Sequence, residues 1–206
     1  MLRLTGSERA VAEIAATAEH MASLTVGSAA FQLAPDVPDE PPPVTAAVEL
    51  LDETSAPEAA GTLAEIRDWA GTALGVERVP NAWRAFAHHP RLLEAVWRKN
   101  RLILGAGVLD EMVKGCAAFA IAIFRQSSYW TAYQTQFLKH SCGLDDRAIV
   151  EATAMTMHAF AFNTVAHGMR LDAPYENLSV SDFAEGGRLE NSRGPGAPQP
   201  ATSNQG

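Results

Sequence analysis

Cysteine is nearly absent from this chain of 206 residues. Cys116 and Cys142 are the only two, and their wide separation fits neither a Cys-x-x-Cys redox motif nor a zinc-binding spacing. Cys116 lies in an apolar run and reads as a small buried hydrophobe, while Cys142 precedes Gly143 and reads as partly exposed. Basic clusters are missing as well. Sixteen Lys and Arg against 24 Asp and Glu give a formal charge of -8, and only Arg98, Lys99 and Arg101 come close together. Nucleic acids and anionic membranes are bound through clustered cations, so neither is an expected partner. The three cations read as the solvated side of an amphipathic helix. No run reaches the ~18 uninterrupted apolar residues of a membrane span. The opening residues, Met1 to Arg9, lack the apolar stretch of a signal peptide. No core segment alternates with a two-residue period for long enough to be a strand. These absences lead to the expectation of an all-α, cytoplasmic protein with no metal and no cofactor.

What is present is an apolar content of 47%, enough for one core, and a succession of helix signals. Thr5-Gly-Ser-Glu8 has the form of a capping box, and Val11, Ile14, Ala15, Ala18 and Met21 follow at helical spacing. Residues 25–44 carry Pro35, Pro38 and Pro41-Pro42-Pro43, which predict a strap laid on the surface through Phe31, Leu33 and Val37. Ser55-Ala-Pro-Glu58 predicts a second capping box, opening a helix that buries Leu63, Ile66, Ala70 and Leu74 and ends at Gly75. A short helix follows from Asn81 to Ala87. His89-Pro90 starts the next, with Leu93, Val96, Trp97 and Leu104 inward. Asp110 caps a helix over Glu111–Phe124, which is apolar nearly all round after Gly115 and is expected to be fully buried at the centre of a bundle. A helix over Ser127–Ser141 closes at Gly143, and one starting near Asp146 turns Ile149, Ala152 and Met155 inward. Met157 to Met169 either continues that helix or breaks from it. From about residue 188 the chain is nearly devoid of large apolar side chains and is expected to be disordered.

The order of these signals is more specific than any one of them. Val79-Pro80-Asn81, Ala87-His88-His89-Pro90-Arg91-Leu92-Leu93-Glu94-Ala95, Leu109-Asp110, the small-residue helix, Gly143-Leu144-Asp145-Asp146 and Phe162-Asn163 follow one another over roughly residues 60–172. Together they resemble the carboxymuconolactone decarboxylase and alkylhydroperoxidase D-like (AhpD-like) family. The resemblance implies an AhpD-like helical bundle at 55–175, preceded at 1–54 by an N-terminal helix and Pro-rich strap and followed by a tail at 176–206. It also implies a homo-oligomer, as dimer, trimer or hexamer, and Asn163 matches a recurrent asparagine that holds helix ends together.

Redox members of that family carry Cys-x-x-Cys-x-x-x-His on one helix and a glutamate twelve residues before the first cysteine. A nucleophilic cysteine must be a thiolate, with its resolving partner one helical turn away and a base on the same face. The corresponding positions here are Ser127, Trp130, Gln134 and Gly115. A serine forms no disulfide, an indole is no nucleophile, and an amide does not titrate near neutrality. Thiol peroxidase and disulfide reductase chemistry from this motif is excluded on those grounds.

Three readings remain. Ser127, Trp130 and Gln134, at i, i+3 and i+7 on one helical face, either line a pocket for a small, fairly apolar ligand or fill it, which makes the protein a binding protein or a non-catalytic subunit. Alternatively, His158 transfers a proton in a lyase- or isomerase-type reaction. A third possibility is a purely structural partner of another protein. Tyr129 and Tyr133 are expected to pack. His20 and His140 have no evident partners, and His158 and His167 point too far apart on one helix to share a metal.

Overall fold

The computed structural model describes residues 6–36 and 46–169. Thr5, Val37 and most of the Pro-rich strap, and the tail from residue 170, lie outside these. Seven helices are present among the described residues and no strand: α1 (Gly6–Ala30), α2 (Ala60–Leu74), α3 (Asn81–Phe86), α4 (Pro90–Leu104), α5 (Glu111–Phe124), α6 (Ser128–His140) and α7 (Asp146–Gly168). The fold is all-α.

Where a polar side chain caps the first turn, the predicted boundaries hold. The carboxylates of Asp110 and Asp145 accept from the amides of Val113 and Ala148, both at 2.8 Å, and start α5 and α7. His89 starts α4, its Nδ1 accepting from Leu92 at 3.2 Å, with Pro90 in the first turn. Gly75 and Gly143 take the left-handed φ (69° and 71°) that ends α2 and closes the turn after α6. The Ser55 capping box is not formed. Asp52 Oδ1 instead accepts from the amides of Thr54 and Ser55 and from both hydroxyls, a self-contained turn, and α2 begins at Ala60 without a side-chain cap. Its inward face is the expected one, with Leu63, Ile66, Ala70 and Leu74 fully buried.

Helix α5 packs on α6, α1, α7 and α4 and is the centre of the bundle. It is not buried all round, since Met112, Val113 and Phe124 are exposed. Beside it the four tryptophans form one chain of edge-to-face contacts: Trp69 to Trp97 at 5.4 Å, Trp97 to Trp83 at 5.2 Å, and Trp83 to Trp130 at 6.1 Å. Tyr129 and Tyr133 pack into the same cluster.

Helix α1 departs most from its sequence pattern. It runs six residues into the segment expected to be strap, and Val11 and Ile14 are exposed. The buried side is Thr17, His20, Met21, Leu24, Thr25 and Ser28, a largely polar stripe in which the three hydroxyls donate to carbonyls of α1 itself (Glu13, Ala22 and Thr25) and His20 meets Asn100 of α4. The described strap residues do lie on the core. Leu33 is buried, and Phe31 meets Phe86 edge-on at 5.2 Å. Arg84 donates to the carbonyls of Leu50 (2.8 Å) and Leu51 (3.1 Å), and buried Asp36 accepts from the Asn81 amide.

In α7, Ile149 and Ala152 pack on the core, but Met155 is 74% exposed. The helix continues unbroken through Met157 to Gly168.

Candidate functional site

The motif positions fall on α6 against α1, and each is matched to a residue of α1. Ser127 is the N-cap of α6. Its Oγ accepts from the Trp130 amide and lies 3.4 Å from Ser28 Oγ. Trp130 is 1% exposed and donates its indole N–H to the Leu24 carbonyl at 2.8 Å. Gln134 is buried and donates Nε2 to Met21 Sδ at 3.7 Å, a weak acceptor. Residues 127, 130 and 134 thus meet 28, 24 and 21. The steps of three and four on one helix are answered by steps of four and three on the other, which is the register of two antiparallel helices.

The fourth position, Gly115 on α5, is closed by α6 and not by α1. A Cβ on Gly115 would stand 2.9 Å from Phe137 Cε1 and 3.0 Å from Leu138 Cδ2. No side chain as long as a glutamate fits there without moving the Phe137 ring, which is stacked on Trp69 at 6.5 Å.

Two further contacts anchor α1. His20, 1% exposed, places Nε2 3.0 Å from Asn100 Oδ1 of α4, and burial lowers its pKa. Glu13 accepts from the amides of Val108 (2.9 Å) and Leu109 (3.0 Å) and pairs with Lys114 at 3.0 Å. Those two amides, with the lysine next, hold the Glu13 carboxyl down to about 2. Lys114 is itself buried and donates to the Gly105 carbonyl at 2.7 Å. The sequence carried a signal for this pair that the periodicity argument passed over: a lone lysine inside an apolar helix demands a carboxylate.

One cleft touches the motif face. Gln134, Tyr133, Asn100, Arg101, Trp69 and Phe137 are among its lining residues, and it encloses about 30 Å³, room for roughly two waters. Ser127 and Trp130 do not line it. Arg101 spreads over Trp69 and Trp97 at its mouth, 5.9 and 5.8 Å from the ring centres. Arg98 and Lys99 are solvated and paired with Glu94 and Glu19.

Both cysteines are free and half-buried. Burial, then the Asp110 charge, raises the Cys116 thiol. Burial followed by the neighbouring Cys116, Glu111 and Asp110 raises Cys142. Every influence on both thiols opposes the thiolate that redox or nucleophilic chemistry requires.

His158 stands on the exposed part of α7, beside Phe162 at 6.5 Å, and does not border the Gln134 cleft. Asn163 is exposed on the same helix and holds no helix ends together. His140 lies under Gly75, and His88 contacts the Glu49 carbonyl at 2.9 Å. Among the described residues no group of three or more His, Cys, Asp or Glu is placed to hold a metal ion. No described helix is long and apolar enough to cross a membrane. No protein-family model matches the chain, and no curated protein or solved structure matches it.

Proposed function

We propose that this chain is a divergent AhpD-like protein whose motif helix has become a structural element, and that it works as a non-catalytic, self-associating subunit. The observation that carries this reading is the pairing of Ser127, Trp130 and Gln134 with Ser28, Leu24 and Met21. A face that would have to be open to peroxide or to a partner thiol is instead a helix–helix contact. The raised thiols of Cys116 and Cys142 point the same way. Self-association is supported by the long apolar surface of α7, where Met155, Met157, Phe162 and Val165 are each more than half exposed.

A peroxide-consumption assay with dithiothreitol or a dithiol carrier tests the first half. The expected result is no turnover above the protein-free control, unchanged by Cys116→Ser or Cys142→Ser. Turnover that disappears in either variant refutes the reading. Sedimentation equilibrium tests the second half, the expected mass being a multiple of the 22.0 kDa chain.

A second reading, binding of a small molecule, is favoured by the cleft beside Gln134. Asn100 and Gln134 offer amides there against the rings of Trp69, Tyr133 and Phe137, an apolar wall with a few polar groups. At about 30 Å³ the cleft admits only a few heavy atoms.

A further inference from the structure

Helix α7 has no buried residue along its 23 positions. Its first half rests on α5 and α6 through half-buried Ile149, Ala152, Thr153 and Thr156. Beyond Thr156 nearly every residue is exposed, and the bundle reaches this part chiefly through Phe124, which meets Phe160 edge-on at 5.3 Å. A helical segment of about 13 residues is marginal in water on its own, and one rich in Met, Phe and Val is unfavourable there. Such a segment requires a covering surface.

The pattern of this segment describes the cover. Met155, Phe162 and Met169 recur at seven-residue intervals, with His158 and Val165 three residues after the first two, which is the a/d seam of a two-stranded coil. The flanking e and g positions are all small: Ala154, Ala159, Ala161, Ala166 and Gly168. Small flanks let a second helix approach the seam closely. From Ala152 to Gly168 the sequence contains no Asp, Glu, Lys or Arg. Two copies that each carry -8 repel over most of their surfaces within the ~8 Å reach of charge at physiological salt, and this stretch is a place where they meet without like charges opposed. The sequence after Met169, with Asp172, Glu176, Asp182, Glu185 and Glu190, is a poor match for the same uncharged seam.

We propose that the exposed seam of α7, formed by Met155, His158, Phe162, Val165 and Met169, docks on the same seam of a second copy of this chain as an antiparallel, two-fold-related helix pair. This rests on the reading of the chain as a self-associating subunit and names the surface responsible. Large apolar side chains here expose roughly 100 Å² each. The five seam side chains therefore supply on the order of 500 Å² per copy, about 1,000 Å² in total, the low end of a stable interface. In a two-fold pair each contact occurs twice, so a single substitution acts on both sides.

The test is sedimentation equilibrium of the full chain with Phe162→Glu, Val165→Lys and, as a control, Leu102→Glu, an exposed apolar position on α4. The wild type and Leu102→Glu are expected to assemble. Phe162→Glu and Val165→Lys are expected to shift the mass to that of one chain, with self-affinity lowered at least ~100-fold. Circular dichroism checks that both variants keep the helical bundle, and two variants of opposite charge guard against a local fault in one. An assembled wild type with both seam variants still assembled overturns the seam while leaving self-association intact. A wild type that stays monomeric at all concentrations overturns both. In that monomer, a melting temperature lowered by Phe162→Glu would show that α7 is covered by its own chain.

Discussion

Trp130→Phe distinguishes a tryptophan that plugs the bundle from one that lines a pocket. In the plug, the indole N–H is spent on the Leu24 carbonyl at 2.8 Å, and the ring is enclosed by Trp83, Tyr129 and Tyr133. The Leu24 carbonyl lies within α1 and keeps its intrahelical bond, so the lost hydrogen bond costs about 1 kcal/mol and leaves no orphaned acceptor. The smaller ring vacates roughly 40 Å³, worth about 1 kcal/mol at the cost found for buried cavities. Phe preserves the edge-to-face contacts, which therefore drop out of the difference. The expected loss is about 2 kcal/mol, or a fall of roughly 4–8 °C in melting temperature for a domain of this size. Urea titration followed by circular dichroism at 222 nm measures it without relying on the removed fluorophore. A tryptophan facing solvent or an open pocket would lose under ~0.5 kcal/mol. A change that small would refute the plug and return Trp130 to the wall of a binding site.

Two other outcomes test the anchoring of α1 and the strap. Burial, the leading influence, lowers the pKa of His20, so between that lowered value and the ~6.5 of the unfolded ring the unfolded chain holds more protons and stability falls as pH falls. Glu13 is depressed to about 2, and its contribution, present above the ordinary carboxylate range, is lost as pH drops towards that value. Stability measured from pH 7 to 5 is expected to fall less steeply in His20→Gln, and the limb below pH 4.5 to flatten in Glu13→Gln; parallel profiles in variant and wild type would remove these groups from the linkage. Arg84→Ala releases the carbonyls of Leu50 and Leu51 and is expected to cost about 1–2 kcal/mol. Limited proteolysis should then cut within residues 46–54 several times faster than in the wild type.

Helix ends written as a capping side chain or a left-handed glycine could be read directly, as at Asp110, Asp145, His89, Gly75 and Gly143, because those signals act within four residues. Ser55 shows the limit of the same rule. The hydroxyl had a nearer carboxylate in Asp52, and local competition decided between two turns of similar sequence. Burial was legible where the stripe was apolar, as on α2, and only in part on α1 and α7, where Met21, Ile149 and Ala152 turn inward as expected but Val11, Ile14 and Met155 do not. On α1 the apolar positions Val11 and Ile14 face out, while His20 and Thr17 face in. Nothing local specifies that arrangement; it depends on Asn100 and the 107–109 loop, some 80 to 95 residues away in sequence. On α7 the expectation that Met155 turns inward assumed that an apolar stripe finds its cover within the chain.

At the candidate site the residue types were legible and their packing was not. None of Ser127, Trp130, Gln134 and Gly115 carries a thiol, which residue type alone shows, but only the antiparallel register with α1 explains why the first three stand there. A serine at 127 caps α6 and accommodates Ser28. An indole at 130 reaches the Leu24 carbonyl, which a cysteine is too short to meet. The carboxamide of Gln134 lies against Met21, where a protonated imidazole would face a thioether in a buried contact. Gly115 is required because Phe137 and Leu138 occupy the space its side chain would need. Positions 127, 130 and 134 are therefore coupled through one packing arrangement with α1, and Gly115 through the α5–α6 contact. While α1 stays in place, side chains at 130 and 134 lie buried beneath it, and only position 127 is partly open. Recovering access requires the loss of Glu13, His20 and Trp130 contacts together, which makes α1, and not the motif helix alone, the element that determines what this bundle can do.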